Sequence, residues 1–240
     1  MIPKIIHYCW FGGKELPPDV KKQIHAWKTK LPDYQIIEWN EQNFSIDQSI
    51  PYVKEAYNAK KWAFVSDYVR LFALYSMGGI YLDTDVEILK KFDDLLEREA
   101  FIGFESKYSL CTAVIGAEKG SLFIKKLLQV YDGKEFHFDE KNKEIPNSQL
   151  IFIFLNKKFR LKPADSVQQL PDCTVFPSDY FSPINCYTLQ KKVTGNSYTI
   201  HWFAGTWKSA DELRKEKVKS FFTRIVGEDF REKLKRLIKG

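Results

Sequence analysis

No apolar run in this sequence of 240 residues approaches the roughly 20 residues that a membrane-spanning helix requires. The opening residues, MIPKIIHYCWFGG, are too short and too polar-flanked for a secretory signal. Cysteine is also scarce: the four cysteines show no C-x-x-C spacing and have no histidine at the spacing of zinc ligands. We therefore expect a soluble, cytoplasmic protein whose cysteines are reduced and mostly buried.

Excess basic charge is missing from most of the chain. The formal net charge is +6, and eleven basic and six acidic residues lie between Lys208 and Gly240, so this segment carries +5 of the total. A protein that binds nucleic acid spreads its basic groups over a footprint on the fold. The distribution therefore argues against a nucleic-acid partner and indicates a single basic end.

Neither internal repeats nor low-complexity linkers divide the chain, and 44% apolar with 15% aromatic residues can bury one substantial core. The patterns predict strands over 3–13, 35–40, 80–86, 100–106 and 110–120, and helices over 17–34, 52–77 and 121–131. Segment 147–159 fits either a helix or a buried strand, and 161–200 holds short strands at most. Alternation of this kind predicts an α/β fold with a mostly parallel sheet.

Two carboxylates stand one residue apart in the segment GGIYLDTDVE. Residues i and i+2 of an extended strand point the same way, so Asp83 and Asp85 would repel each other unless a cation lies between them. Two solvated acids at a strand end are the simpler interpretation, because D-x-D triplets are common by chance. The preceding apolar strand, the Gly-Gly turn and a third acid at Glu87 favour a site. Hard oxygen ligands suit Mg²⁺ or Mn²⁺, commonly together with substrate phosphates.

The helical segment AFVSDYVRLFALYSMGG contains only two charged residues, Asp67 and Arg70. A solvated i, i+3 ion pair would contribute only a few tenths of a kcal/mol. However, this helix is apolar nearly all round, which predicts burial. Buried charges are costly unless they are paired or bind something, so the pair is a candidate component of the site.

Three segments, IPKIIHYCWFGG, WAFVSDYVRLFALYSMGGIYLDTDVEIL and IHWFAGTW, together resemble glycosyltransferase family 32, the sugar transferases with a D-x-D motif. That family includes bacterial capsule and exopolysaccharide transferases and fungal initiating α-1,6-mannosyltransferases. The resemblance covers residues 1 to about 130 and 198–208. It implies a GT-A fold over 1–208, with 209–240 as a basic helical extension packed on the same domain. It also implies a nucleotide-sugar donor, a divalent cation and retention of anomeric configuration.

The resemblance also implies roles for individual residues. Asp67, Arg70, Asp83 and Asp85 form the catalytic set, in which Asp67 and Arg70 approach the ribose and the sugar, and Asp83 contacts hydroxyl groups. Asp85, His201 and Asp83 form the Mn²⁺ or Mg²⁺ site. His7, Trp10 and Gly12 border the nucleotide base, and Trp202, Thr206, Trp207 and Lys208 lie near the diphosphate. Relatives often carry serine where Thr206 stands, and a threonine hydroxyl can still donate to a phosphate oxygen.

The expected reaction is transfer of a hexose to a glycan or lipid-linked oligosaccharide acceptor, in the synthesis of capsule, exopolysaccharide or another surface glycan. UDP-galactose or UDP-glucose is the favoured donor, and GDP-mannose is an alternative donor. The basic end is either a packed helix pair or a peripheral contact with anionic lipid at the inner face of the plasma membrane.

Two alternatives to a transferase also fit part of the pattern. One is a phosphatase of the haloacid dehalogenase type, although its D-x-D motif normally follows the first strand of the chain. The other is a nucleotide-sugar-binding module without catalysis. The complete set of candidate ligands argues against this alternative.

Overall fold

The computed structural model describes residues 1–137, 145–185 and 187–204. Its strands and helices are, in chain order, β1 (Ile5–Cys9), α1 (Pro18–Lys30), β2 (Gln35–Trp39), α2 (Pro51–Asn58), α3 (Trp62–Met77), β3 (Gly79–Leu82), β4 (Val86–Ile88), β5 (Ala100–Ser106), β6 (Ser109–Ala117), α4 (Leu122–Leu128), α5 (Asn147–Phe159), β7 (Gln168–Leu170), β8 (Cys173–Phe176), α6 (Ser178–Phe181) and β9 (Thr199–His201). Single turns of 3₁₀ helix occupy Asp93–Leu95 and Gln129–Tyr131. The undecided segment 147–159 is therefore helical.

A seven-stranded sheet in the order β2-β1-β3-β6-β5-β8-β7 forms the centre of the fold. Strand β1 pairs in parallel with β2 and β3, and β5 pairs in parallel with β8. Strand β6 is antiparallel to both β3 and β5, and β7 is antiparallel to β8. Five of these seven strands thus run in one direction, which confirms the predicted α/β fold with a mostly parallel sheet.

Both faces of the central sheet are covered. One apolar cluster includes side chains of α2, α3, α4 and α5, and the other includes side chains of α1 and α6. Every residue of β5 and β6 is buried, as expected for central strands packed on two sides. A smaller antiparallel pair, β4 with β9, lies beside the main sheet and pairs Val86 with His201.

The helix predicted over 52–77 is two helices, because the chain turns at Lys60. Lys60 adopts a left-handed φ of 56°, and the amide of Lys61 donates to the carbonyl of Ala56 at 2.9 Å. A residue in this conformation closes a helix by satisfying its last carbonyls. The second helix ends as predicted at Gly78, whose φ is 70°.

The strand predicted over 80–86 is also divided, and its two acids lie on a turn. Strand β3 ends at Leu82 and β4 begins at Val86. The amide of Asp83 donates to the carbonyl of Ala113 at 2.9 Å, and the amide of Val86 donates to the carbonyl of Asp83 at 3.0 Å. The expectation of two acids on an extended strand was therefore wrong, because a turn joins two strands that belong to different sheets.

Helix α1 fixes the position of β4. The buried indole of Trp27 and the side-chain amide of Gln23 both donate to the carbonyl of Val86, at 2.8 and 2.7 Å. Lys30 reaches the carbonyl of Ile88 at 2.7 Å. Side chains of one helix thus satisfy the carbonyls of a strand that begins directly after the acidic turn.

Within the described ranges, no helix is both long and apolar enough to cross a membrane. Cys9, Cys111 and Cys173 are buried free thiols, as expected. Cys186, the predicted site residues Thr206, Trp207 and Lys208, and the basic extension 209–240 lie outside the described residues. The proposed division at residue 208 therefore stays a prediction.

Candidate active site

The candidate site lies at the edge of the sheet where β1, β3 and β5 end. The loop with Gly12 follows β1, and Asp83 follows β3. Glu105 stands near the end of β5, and Cys111 stands near the start of the antiparallel β6. Carboxyl ends of parallel strands are the usual ligand-binding edge of an open α/β sheet. The topology therefore gathers acidic residues from separate parts of the sequence at one edge.

The two acids of the turn have different partners. Asp83 accepts a hydrogen bond from the Tyr81 hydroxyl at 2.8 Å, and its side chain is 28% exposed. Asp85 accepts from the backbone amide of Ala204 at 2.9 Å through Oδ2. Its Oδ1 lies 3.4 Å from Nε2 of His201. Asp83 thus faces outward from the protein more than Asp85, which is held among protein donors.

His201 reaches this turn through the pairing of β9 with β4. Asp83, Asp85 and His201 each offer a ligand atom, and these atoms lie within 4.8 Å of one another. Two carboxylate oxygens are ligands that Mn²⁺ or Mg²⁺ prefers, and the imidazole nitrogen offers a third ligand atom to a divalent cation. The structure thus brings together the three residues predicted to form the metal site.

The charges of Asp85 and His201 support each other. Burial raises the pKa of Asp85, but the nearby His201 charge and hydrogen bonds from His201 and Ala204 outweigh this effect and lower the pKa. Burial lowers the pKa of His201, and attraction by Asp85 reverses that effect and raises the pKa above its ordinary value. Both shifts favour a charged Asp85–His201 pair, and a bound cation would take the place of the histidine proton.

Arg70 links α3 to the acidic turn. Its guanidinium lies 2.8 Å from Asp67 Oδ1 and 3.4 Å from Asp83 Oδ1, and it donates to the carbonyl of Thr112 at 2.7 Å. The residue is only 4% exposed and stacks 4.7 Å above the Tyr81 ring. The prediction that Asp67 and Arg70 form a buried pair beside the D-x-D motif is confirmed.

Asp67, the partner of Arg70, has a carboxyl group that is largely removed from solvent. Burial raises the pKa of its carboxyl to about 6, although Arg70 opposes the shift. The side chain of Asn147, from the first residue of α5, also lies beside this carboxyl. Asp67 is thus a positioned carboxylate whose charge depends on Arg70.

His7 lies within the core. Its Nδ1 accepts a hydrogen bond from the Trp39 indole at 3.0 Å, so the proton lies on Nε2, which donates to the carbonyl of Gly78 at 2.7 Å. Burial lowers the pKa of the imidazole, which favours this neutral tautomer. Both ring nitrogens are occupied, so any contribution of His7 to donor binding acts through the position of its neighbours. Its donor-binding role stays a prediction.

The loop after β1 is constrained at Gly12. This residue has a φ of +100°, and an added Cβ would lie 2.7 Å from the Trp62 ring. Its amide donates to Glu41 at 2.7 Å, and the Trp10 indole donates to the carbonyl of Lys14 at 2.7 Å. The loop is therefore fixed next to the acidic edge, where the donor-binding roles of Trp10 and Gly12 stay predictions.

Trp202 follows His201 and lies on the surface of the site. Its indole donates to Glu87 at 3.0 Å, Lys191 lies 4.7 Å from its ring, and the side chain is 46% exposed. Its backbone amide donates to the carbonyl of Asp85 at 3.2 Å, which extends the β4–β9 pairing. Glu87 is thus engaged with Trp202, while Trp202 keeps an exposed ring beside the turn.

The turn with Asp83 and Asp85 lies within a region that matches a known family. Residues 17–102 match the model described as "Glycosyltransferase sugar-binding region containing DXD motif". Residues 17–102 are thus similar to the sugar-binding region of glycosyltransferases with a DXD motif. The family resemblance predicted from the sequence is thereby confirmed.

Curated proteins similar to this chain include two proteins of Schizosaccharomyces pombe. Inositol phosphoceramide mannosyltransferase 3 is 32% identical over 134 residues, which are 53% of this chain and 36% of that protein. Inositol phosphoceramide mannosyltransferase 2 is 24% identical over 222 residues, which are 88% of this chain and 59% of that protein. The chain therefore spans less than two thirds of the length of each.

Among solved structures, the PaToxG glycosyltransferase superimposes with a TM-score of 0.51 and 20% sequence identity. The match covers 65% of this chain and 69% of that chain. This likeness supports the fold, a GT-A type sheet flanked by helices.

Two residues at the candidate site were missed by sequence reasoning. Glu105 Oε1 lies 3.4 Å from His201 Nδ1, and Cys111 offers its thiol to the same group. The only sequence signal was an acid near the end of the otherwise apolar strand AFIGFES. A cysteine as the second residue of LCTAVIG looks like any small core residue, so nothing in the local pattern indicates it.

Proposed function

We propose that this chain is a retaining, metal-dependent glycosyltransferase that moves a hexose from a nucleoside-diphosphate sugar to a glycan acceptor. The observation that carries the proposal is the convergence of Asp83, Asp85 and His201 at the ligand-binding edge of the sheet. The buried Asp67–Arg70 pair lies directly against this group. Retention of configuration rests on the family resemblance.

Each residue of the site would act on a charge that develops while the donor bond breaks. Breaking the bond between sugar and diphosphate leaves an anionic diphosphate and a sugar with oxocarbenium character. A divalent cation held by Asp83, Asp85 and His201 would supply positive charge to the diphosphate. Arg70 fixes the Asp83 carboxylate at 3.4 Å, and the exposed part of that carboxylate is available to sugar or ribose hydroxyls.

The donor is proposed to be a UDP-hexose, UDP-galactose or UDP-glucose, in the synthesis of capsule or another surface glycan. GDP-mannose is a second candidate, because two of the matched relatives are named mannosyltransferases. The same names specify inositol phosphoceramide, which favours a lipid-linked acceptor over a free glycan. Such an acceptor would require the chain to work at a membrane surface, and we propose the inner face of the plasma membrane because residues 208–240 carry most of the net positive charge.

A donor screen tests the proposal. UDP-glucose, UDP-galactose and GDP-mannose are each incubated with the protein and Mn²⁺, with Mg²⁺, or with a chelator, and nucleoside diphosphate release is measured. We expect release from one donor, dependent on the cation and abolished by Asp85→Asn. Turnover of p-nitrophenyl phosphate without donor hydrolysis would indicate a phosphatase instead. Cation-dependent donor binding with neither hydrolysis nor transfer would indicate a binding module.

A further inference from the structure

His201 presents its two ring nitrogens to two different sets of ligands. Nε2 faces Asp85 at 3.4 Å, on the side of the D-x-D turn. Nδ1 faces Glu105 at 3.4 Å, on the side of β5 and β6. Glu105, Cys111 and His201 each offer a ligand atom, and these atoms lie within 4.8 Å of one another. The second set contains neither acid of the D-x-D motif.

Nδ1 of His201 is buried and has no hydrogen-bond partner among residues 1–137, 145–185 and 187–204. Its neighbours are buried too: Glu105 is 9% exposed and Cys111 is fully buried. Glu105 Oε1 lies 3.4 Å from this nitrogen and can pair with it only while the nitrogen carries a proton. A cation coordinated by all three groups would take the place of that proton.

The ligand chemistry of this set differs from that of the D-x-D turn. Thiolate, imidazole and carboxylate are the ligands of zinc, whereas Mn²⁺ and Mg²⁺ prefer oxygen. Two ligand atoms of a tetrahedral zinc site with bonds of about 2.1 Å lie about 3.4 Å apart. The separation between Glu105 Oε1 and His201 Nδ1 is 3.4 Å. We propose that Glu105, Cys111 and His201 form a zinc site distinct from the donor-site cation.

Zinc at this site opposes cation binding at the D-x-D turn. A neutral imidazole has one unprotonated nitrogen, so coordination through Nδ1 leaves the proton on Nε2. His201 then cannot act as a ligand beside Asp83 and Asp85. The cysteine proton is released to solvent when the thiolate binds. This antagonism rests on the proposed function, whereas the zinc site itself does not.

Cobalt is the probe that reports the thiolate directly. Metal-free protein is titrated with Co²⁺, both in the folded state and during refolding from denaturant, and near-ultraviolet and visible absorption are recorded. We expect a thiolate-to-cobalt charge-transfer band together with the intense visible bands of tetrahedral cobalt. Zinc added afterwards should remove both. Absence of the charge-transfer band under both conditions would overturn the proposal.

Matched variants assign the ligands. Cys111→Ser and Cys111→Ala should both lose the charge-transfer band, and Glu105→Gln should weaken Co²⁺ affinity about tenfold or more. Cys173→Ser is the control, because Cys173 is a buried free thiol at the opposite end of the sheet, at the start of β8. Asp85→Asn should keep the band. A band that survives in both Cys111 variants, or that is lost in Cys173→Ser, contradicts the assignment.

The antagonism between zinc and Mn²⁺ is measured separately, by electron paramagnetic resonance of Mn²⁺. Zinc should weaken Mn²⁺ binding in the parent protein and leave it unchanged in Cys111→Ser. If Mn²⁺ does not bind at all, the proposed cation at the D-x-D turn is refuted, whereas the cobalt bands still support the zinc site. If zinc occupies its site and Mn²⁺ binds as before, the antagonism is refuted.

Discussion

At the scale of single residues, Arg70 connects helix α3 to the turn that carries the D-x-D motif. It bridges Asp67 and Asp83 and is held by the carbonyl of Thr112 on β6. The burial of this residue could be predicted, because its helix is apolar nearly all round. Its link to β6 could not, since Thr112 lies 42 residues away in the sequence and the two meet only after the sheet has formed.

Replacing Asp85 by asparagine tests the cation ligand. The amide keeps the size of the side chain and loses its charge, so Mn²⁺ affinity should fall about tenfold to a hundredfold and donor hydrolysis should disappear. Isothermal titration with Mn²⁺ measures the first effect. Glu87→Gln is the matched control, because Glu87 is a nearby acid bonded to the Trp202 indole. Equal Mn²⁺ affinities in Asp85→Asn and the parent would rule out Asp85 as a ligand.

Replacing Asp67 by alanine tests the buried pair. The change leaves Arg70 buried with only Asp83, at 3.4 Å, as a carboxylate neighbour. Breaking a buried pair from one side typically destabilises a protein by about 3–5 kcal/mol, and the remaining contact with Asp83 places the expected value at the lower end. Denaturant unfolding measures it. A Glu38→Ala control removes an acid hydrogen-bonded to Tyr8, away from Arg70. Parental stability and parental donor hydrolysis in Asp67→Ala would show that the pair is dispensable.

At the scale of elements, sequence patterns located the strands and helices but missed their breaks. The long helix divides at Lys60, a residue type that gives no signal for a left-handed conformation. The strand with the D-x-D motif divides because the amide of Val86 turns back to the carbonyl of Asp83, after which the first part stays paired with β6 and the second part pairs with β9. Both partners of that turn are distant in the sequence. Local periodicity therefore identifies an element more reliably than its last residue.

The contact between α1 and β4 leads to a prediction about site geometry. Trp27→Phe removes the indole donor to Val86 and keeps most of the buried ring. The Val86 carbonyl retains the Gln23 amide, so the expected destabilisation is about 1–3 kcal/mol. Because Val86 pairs with His201, Mn²⁺ affinity should fall as well.

Thermal unfolding and Mn²⁺ titration of the same Trp27→Phe preparation separate the two effects. The comparison variant is Trp10→Phe, which removes an indole donor to the exposed carbonyl of Lys14 and should change stability little. If Trp27→Phe is destabilised while Mn²⁺ affinity is unchanged, α1 stabilises the fold without positioning the site.

At the scale of the whole molecule, the candidate site is assembled by topology. Asp67, Asp83 and His201 come from α3, the turn after β3, and β9. The α/β class followed from the alternation of patterns, the acids and the buried pair followed from the residues around them, and the late histidine followed from family resemblance. The position of Glu105 and Cys111 against His201 depends on the antiparallel pairing of β5 with β6 and on the placement of β9. The two-residue connection between β5 and β6 indicates a hairpin, but the placement of β9 beside it leaves no signal in a local window of sequence.

The uneven charge of the chain leads to a prediction about membranes. Residues 228–240 contain five basic and three acidic side chains, an excess of two positive charges. At about 1 kcal/mol for each net charge near an anionic surface, deleting this segment should weaken vesicle binding about thirtyfold. Co-sedimentation with vesicles containing phosphatidylserine measures the effect, and neutral phosphatidylcholine vesicles serve as the control. Binding to the anionic vesicles should fall when salt is raised to about 0.15 M, because the interaction is screened. Equal binding by the parent and the deletion variant, or no dependence on lipid charge, would leave the basic segment with a structural role alone.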